Sequence, residues 1–120
     1  MGEIRGSVIL EGGLKRKRIK NVLFDSGSTL GHLDESIAKE LGFFISPIEY
    51  DMDIADGTTT KINPALGFMS VNGCRRPVVI GVSKKGASPV IVGLSQMQLM
   101  GIKLDPEKET YTVRCPVPKA

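Results

Sequence analysis

The sequence has few of the cysteine and histidine residues that build zinc sites. Its 120 residues include no Trp, two Cys and one His. Cys74 and Cys115 do not show C-x-x-C spacing, and His32 alone cannot complete a zinc site of four ligands with them. We therefore expect no metal and no cofactor. The two cysteines are left to pair, to bind nothing, or to pack as small apolar side chains.

Long apolar runs are also missing. The amino terminus lacks the roughly 7 to 15 apolar residues of a signal peptide, and no segment approaches the roughly 18 to 20 that span a bilayer. We therefore expect a cytoplasmic location and no membrane partner. A chain that begins Met1-Gly2 is also compatible with a piece trimmed from a longer protein.

Basic and acidic residues are nearly balanced outside a single basic cluster. The 16 basic and 13 acidic residues give a net charge of +3, and without five clustered cations it would be −2. Two glycines, Gly12 and Gly13, precede this cluster, so a solvated hairpin is favoured over a site for nucleic acid or anionic lipid. A nucleic-acid partner is not expected. The cluster consists of Lys15, Arg16, Lys17, Arg18 and Lys20.

The first half of the sequence alternates strand-like segments with turn residues. Residues 4–10 and 19–24 are apolar and β-branched around Gly12-Gly13, which predicts a hairpin. Asp34 as the N-cap and Gly42 as the stop predict a helix over residues 35–41. Further along, Asp56-Gly57 followed by TTTKI predicts another hairpin turn.

The second half continues in the same way and completes a single domain, residues 1–120. The Asn72-Gly73 turn joins GFMSV to PVVIGV, and residues 90–92 form a short buried strand. Ser95 and Gln98 have the spacing of a capping box, which predicts a second short helix that ends at Gly101. IKL and TYTVRC complete seven or eight strands. This content predicts an all-β, mainly antiparallel domain with two short helices.

One apolar strand leads directly into a carboxylate. The segment VLFDSGST, residues 22–29, reaches Asp25 at the end of that strand. A turn of Asp, Ser and Gly is ordinary by itself. Here it is followed by IADGTTTKI, residues 54–62, and by VIVGLSQMQLMGIKLD, residues 90–105. In this order and spacing the segments resemble the retropepsin-like aspartic proteases, the single-domain family that includes the retroviral proteases.

The resemblance implies a small, closed, barrel-like acid protease fold in which Asp25 is catalytic. Two carboxylates held about 3 Å apart share one proton, so one can activate water while the other protonates a peptide carbonyl. The sequence contains a single Asp-Ser-Gly, and the second Asp25 must come from another copy across a two-fold axis. The implied function is an aspartic endopeptidase, active as a homodimer on a peptide or protein substrate at acidic to mildly acidic pH.

The resemblance also assigns supporting residues. Ser26 keeps the hydroxyl that bonds across the dimer axis in the family, and Gly27 allows the two backbones to approach each other. Gly93 is expected to pack against the catalytic loop. A flap that closes over the substrate is expected at Ala55, Asp56, Gly57 and Thr58.

Two rival interpretations use the same residues differently. A retropepsin-like fold can serve as a dimerisation or peptide-binding module without turnover. The intact Asp25-Ser26-Gly27 favours activity, because a module without chemistry would tolerate Asn at position 25. A serine hydrolase is disfavoured because no G-x-S-x-G occurs and His32 is the only imidazole. We expect His32 to cap the first helix or to face solvent beside it.

Overall fold

The computed structural model describes residues 2–53, 57–84, 86 and 88–119. Within them the chain forms ten strands and two short helices. The strands are β1 (Ile4–Glu11), β2 (Arg16–Phe24), β3 (His32–Asp34), β4 (Phe44–Ile45), β5 (Tyr50–Asp53), β6 (Thr59–Val71), β7 (Cys74–Ser83), β8 (Val90–Val92), β9 (Ile102–Asp105) and β10 (Thr110–Val113). The helices are α1 (Glu35–Leu41) and α2 (Leu94–Met100).

Six of the strands close into a barrel. Their order is β1-β2-β8-β3-β7-β6, and β6 pairs back with β1. Two of these pairings, β2 with β8 and β3 with β7, are parallel, and the others are antiparallel. β4 and β5 pair with β6, and β9 with β10 forms a separate hairpin. The predicted all-β fold with a closed barrel and two short helices is confirmed.

The barrel interior is filled by the inward-facing side chains of its strands. Alternate residues of β1 and β7 are buried, as period-two patterning requires. Burial of one such Val, Leu or Ile side chain contributes about 1.5–3 kcal/mol relative to exposure. The side chains that are fully shielded from solvent include Leu10, Leu33, Leu41, Met69, Ile80 and Met100.

The predicted turns lie where glycine permits a left-handed backbone. Asn72 and Gly73 have φ values of 49° and 82°, which is the turn that joins twisted strands without splaying them. Gly42 ends α1 with φ 79°. β5 and β6 pair from Asp53 opposite Thr59 onwards, so the hairpin predicted around Asp56-Gly57 has its two strands, although residues 54–56 lie outside those described.

The carboxyl-terminal segment is tied to the barrel by a disulfide. Cys74, at the start of β7, is bonded to Cys115, with their Cα atoms 5.4 Å apart. The main-chain N–H of Cys115 also donates to the carbonyl of Met100 at 3.0 Å. The sequence left the pairing of the two cysteines open, and the structure joins them. In the part of the chain that is described, no helix is long and apolar enough to cross a membrane.

Candidate functional site

Asp25 lies immediately after β2, where the barrel holds the backbone firmly. Phe24 is buried and pairs in register with Val92 of β8. The N–H of Asp25 then donates to the carbonyl of Val92 at 2.9 Å, and the carbonyl of Asp25 accepts from the N–H of Ser28 at 3.1 Å. The side chain therefore projects from a strand end into a tight turn. We call residues 25–31 the Asp25 loop.

The Asp25 carboxylate has one of its two oxygens fixed by the loop itself. Its Oδ1 accepts a hydrogen bond from the N–H of Gly27 at 2.9 Å, the usual bond of an Asp that begins a turn. Among the described residues this is its sole hydrogen bond, so Oδ2 stays open. Asp25 is half-buried, whereas Ser26 and Gly27 are exposed. Another molecule can therefore reach this face of the loop.

The first turn of α2 holds the other side of the Asp25 loop. The N–H of Leu94 donates to the carbonyl of Ser28 at 2.7 Å, and that of Ser95 donates to the carbonyl of Thr29 at 2.9 Å. The first N–H groups of a helix have no partner inside it, so the loop supplies acceptors that the helix needs. Loop and helix satisfy each other's backbone groups.

Gly93 allows this close contact. A Cβ atom at this position would stand 2.5 Å from the carbonyl oxygen of Ser28 and 2.8 Å from the Cα of Gly31, so no larger residue fits without backbone movement. Gly31 has φ 69°, which also favours glycine. The sequence pointed to Gly93 but not to Gly31.

Gln96 is a second residue of this site that sequence reasoning missed. Its side chain is 1% exposed and bonds to Gly93, Leu30 and Val79. The capping box predicted from Ser95 and Gln98 is wrong by two residues. The hydroxyl of Ser95 is buried without a partner among the described residues, because the helix already begins at Leu94. Glycine at the N-cap with glutamine three residues later was the available signal.

The flap residues are only partly described. Ala55 and Asp56 lie outside the described residues. Gly57 has φ 86° with open space around it, and Thr58 is exposed. The strands below them are joined by an ion pair of 3.2 Å between Lys61 and Asp51. The structure therefore gives the two strands of this hairpin, and its role as a flap that contacts substrate remains a prediction.

His32 does not face solvent, contrary to expectation, and it caps no helix. β3 brings it between β7 and β8, where its side chain is 12% exposed. Its Nε2 lies 2.6 Å from Oδ1 of Asp34, and its Nδ1 lies 3.3 Å from Oγ of Ser83. Asp34 is the N-cap residue of α1, as predicted, but its carboxylate accepts from the N–H of Gly86 at 3.1 Å and makes no cap bond to the helix.

Comparison with known proteins gives a likeness of fold. No protein-family model matches the sequence, and no curated protein matches it either. Among solved structures, the retroviral protease-like domain of Ddi1 from Leishmania major is similar, with a TM-score of 0.64 and 15% identity. The match covers 96% of this chain and 87% of that one. At this identity the likeness shows the fold alone, and the chain has a retropepsin-like fold.

Proposed function

We propose that this chain is an aspartic endopeptidase that acts as a homodimer, each copy giving one Asp25 to a shared dyad. The observation that carries the proposal is the placement of Asp25 at a buried strand end in a retropepsin-like fold. One carboxylate oxygen is held by Gly27 and the other is open. A rigid carboxylate with a free oxygen is what water activation needs.

In the proposed reaction the two Asp25 side chains carry one proton between them. The ionised carboxylate removes a proton from a water molecule, whose oxygen bonds to the carbonyl carbon of the peptide. The protonated carboxyl gives its proton to the carbonyl oxygen, forming a neutral tetrahedral diol. The carboxyl group that gained the water proton then gives it to the peptide nitrogen, and the other carboxylate takes a proton from a diol hydroxyl. The C–N bond breaks, which leaves an acid and an amine and restores the single shared proton.

The proposal requires a second copy because the chain provides only one catalytic carboxyl group. The sequence has one Asp-Ser-Gly, and within the described residues no other carboxyl group bonds to Asp25. A lone carboxylate cannot supply both the base and the acid of the reaction. The exposed Ser26 and Gly27 are available for contact with a symmetry-related loop.

The alternative is a non-catalytic module of the same fold that dimerises or binds peptides. The similar solved domain is described as protease-like, which names a fold and not a reaction. The two proposals differ in turnover. A module would keep its dimer and its peptide affinity and would cleave nothing.

Cleavage of a denatured protein mixture separates the two proposals. We expect peptide products between about pH 3 and pH 7, more at the acidic end, because one carboxyl must stay protonated. Asp25→Asn and a pepsin-type transition-state inhibitor should each abolish them. Glu107→Gln, which removes one exposed carboxylate elsewhere, is the matched control and should cleave normally. Cleavage by Asp25→Asn would exclude the dyad, and no cleavage by the parent at any pH would favour the module.

The cytoplasmic location remains a prediction. Disulfides such as Cys74–Cys115 persist mainly in oxidising compartments and are rare in the cytosol. The state of these two thiols in freshly lysed, alkylated cells tests the location. Alkylated, reduced cysteines agree with the cytoplasm, and protected cysteines contradict it.

A further inference from the structure

Gln96 connects three separate parts of the chain through one buried carboxamide. Its Nε2 donates to the carbonyl of Leu30 at 2.9 Å and to that of Val79 at 2.6 Å. Its Oε1 accepts from the N–H of Gly93 at 2.8 Å. These residues belong to the Asp25 loop, to β7 and to the turn between β8 and α2.

The partners dictate which way the carboxamide faces. The carbonyls of Leu30 and Val79 only accept hydrogen bonds, so they require the NH₂ end. The N–H of Gly93 only donates, so it requires the oxygen. Both hydrogens of the NH₂ group are used, and no other side chain of similar volume offers two donors and an acceptor in this arrangement.

The Asp25 loop is bonded to Gln96 directly near its end and is connected to it indirectly at its start. Leu30 lies near the end of the loop and is tied to Gln96 directly. At the start of the loop, the N–H of Asp25 donates to the carbonyl of Val92. Gly93, which follows Val92 in sequence, donates its N–H to Gln96. The bond to Val79 anchors the same carboxamide to a barrel strand. Gln96 therefore ties the end of the loop to the barrel directly and supports its start only through Gly93, the residue after Val92.

We propose that Gln96 is a positioning residue for Asp25. Its side chain sets the position and orientation of the Asp25 loop relative to the barrel. This inference rests on the proposed function and deepens it. Gln96 does not touch the reacting groups. It acts by holding Leu30 and Gly93, so its loss displaces the Asp25 loop and with it the carboxylate. A displacement of about 1 Å at a reacting group can cost about a hundredfold in rate.

Gln96→Glu tests the proposal because it keeps the shape and changes the donors. An ionised Glu still accepts from the N–H of Gly93, but it places an acceptor oxygen where the NH₂ group faced the carbonyls of Leu30 and Val79, which repel it. A protonated Glu can still accept from Gly93 and donate to one of the carbonyls. Because burial disfavours the ionised form, the variant should regain the native loop at low pH and lose it as pH rises.

The kinetic experiment compares the parent, Gln96→Glu and Gln98→Glu, each normalised to folded dimer at every pH. Gln98 is exposed on the same helix and adds the same charge without touching the loop. We expect kcat of Gln96→Glu to fall about ten- to a hundredfold at the upper end of the active pH range, to recover at the lower end, and to leave KM nearly unchanged. Gln98→Glu should follow the parent. A pH profile of Gln96→Glu that parallels the parent would overturn the proposal.

A second measurement does not depend on activity. The amide signal of Gly27 in NMR spectra reports its hydrogen bond to Asp25. In Gln96→Glu we expect this signal and that of Gly93 to match the parent at low pH and to move away as pH rises, whereas Gln98→Glu leaves both unchanged. Matching Gly27 signals at every pH would overturn the positioning role. An inactive parent with the predicted NMR change would reject the peptidase and retain the positioning of the loop.

Discussion

A Cβ atom on Gly93 would stand 2.5 Å from the main-chain carbonyl oxygen of Ser28. The two backbones meet so closely because the first turn of α2 donates its N–H groups to the Asp25 loop. This contact joins the residue that follows β8 to the loop that follows β2. The geometry of Asp25 is therefore set by a packed backbone contact and not by side chains alone.

Gly93→Ala should destabilise the protein strongly. The added methyl group meets backbone atoms that cannot move aside without shifting the Asp25 loop, and overpacking of this kind costs about 1–3 kcal/mol or more. Urea unfolding measures the change. Gly13→Ala is the control, since its Cβ would lie at an ordinary 3.5 Å from the nearest atom, the carbonyl oxygen of Gly42. Equal stability losses in the two variants would contradict this account of the contact.

Asp34→Ala should cost about 1–3 kcal/mol, because it leaves partly buried donors of His32 and Gly86 without an acceptor. Asp51→Ala removes a carboxylate of the same type from the exposed pair with Lys61, and it should cost no more than about 1 kcal/mol. Chemical denaturation of both variants gives the comparison. A larger loss of stability in Asp51→Ala than in Asp34→Ala would show that the bonds of Asp34 to His32 and Gly86 do not stabilise the barrel.

Reduction of the disulfide should lower the free energy of unfolding by up to about 4 kcal/mol. The estimate follows from the loop entropy that the bond between Cys74 and Cys115 removes from the unfolded chain, given their sequence separation of 41. Thermal unfolding with and without reductant measures it. The double variant Cys74→Ala/Cys115→Ala should show no dependence on reductant. A parent that is equally stable in both conditions would rule out this contribution.

Glu40 should titrate below its ordinary pKa of 4.5 in the folded protein. A side-chain hydrogen bond from Lys15 is the main cause of the lowered pKa, and Lys17 adds a second bond and charge. Since folding lowers this pKa, the stabilisation is present above the ordinary value and is lost as pH falls through the lowered one. It should be small and salt-sensitive, because the group is exposed.

NMR titration of the Glu40 carboxyl group measures that shift. Lys15→Met should raise the pKa of Glu40 toward its ordinary value. Lys20→Met removes a cation of β2 that does not pair with Glu40, and it should leave the titration unchanged. A titration of Glu40 that is the same in the parent and in Lys15→Met would contradict the assigned cause.

The sequence predicts those parts of the fold that neighbouring residues determine. Asn72-Gly73 and Gly42 mark a turn and a helix end because each needs a backbone that glycine or asparagine permits. Gly12 lies in its turn because a Cβ atom there would collide with the carbonyl oxygen of Leu41. The sequence predicts TTTKI and GFMSV as separate segments, whereas the structure joins them in the long strand β6, which includes Pro64. Here its carbonyl still accepts from the N–H of Ser46 at 2.8 Å, and the strand continues.

The parts that could not be predicted depend on residues far apart in sequence. Asp34 occupies the predicted N-cap position of α1, but its carboxylate bonds to Gly86, 52 positions away, and not to the helix. Gln96 reaches Leu30, which is 66 positions away. Local patterns carry no record of such pairings. The Asp25 loop could be proposed from the sequence because it resembles that of a known family. The bonds of Gln96 that support the loop could be identified only from the structure.

Mixtures of parent chains with Asp25→Asn chains test the shared dyad most directly. The two are unfolded, combined in equal amounts, refolded together under oxidising conditions and assayed for peptide cleavage at acidic pH. Because a symmetric dimer pairs chains at random, about half of the parent chains should then have an inactive partner, and activity per parent chain should fall to about half. Mixing with Glu107→Gln should cause no fall. Activity per parent chain that stays constant at every ratio would contradict a site built from two copies of Asp25.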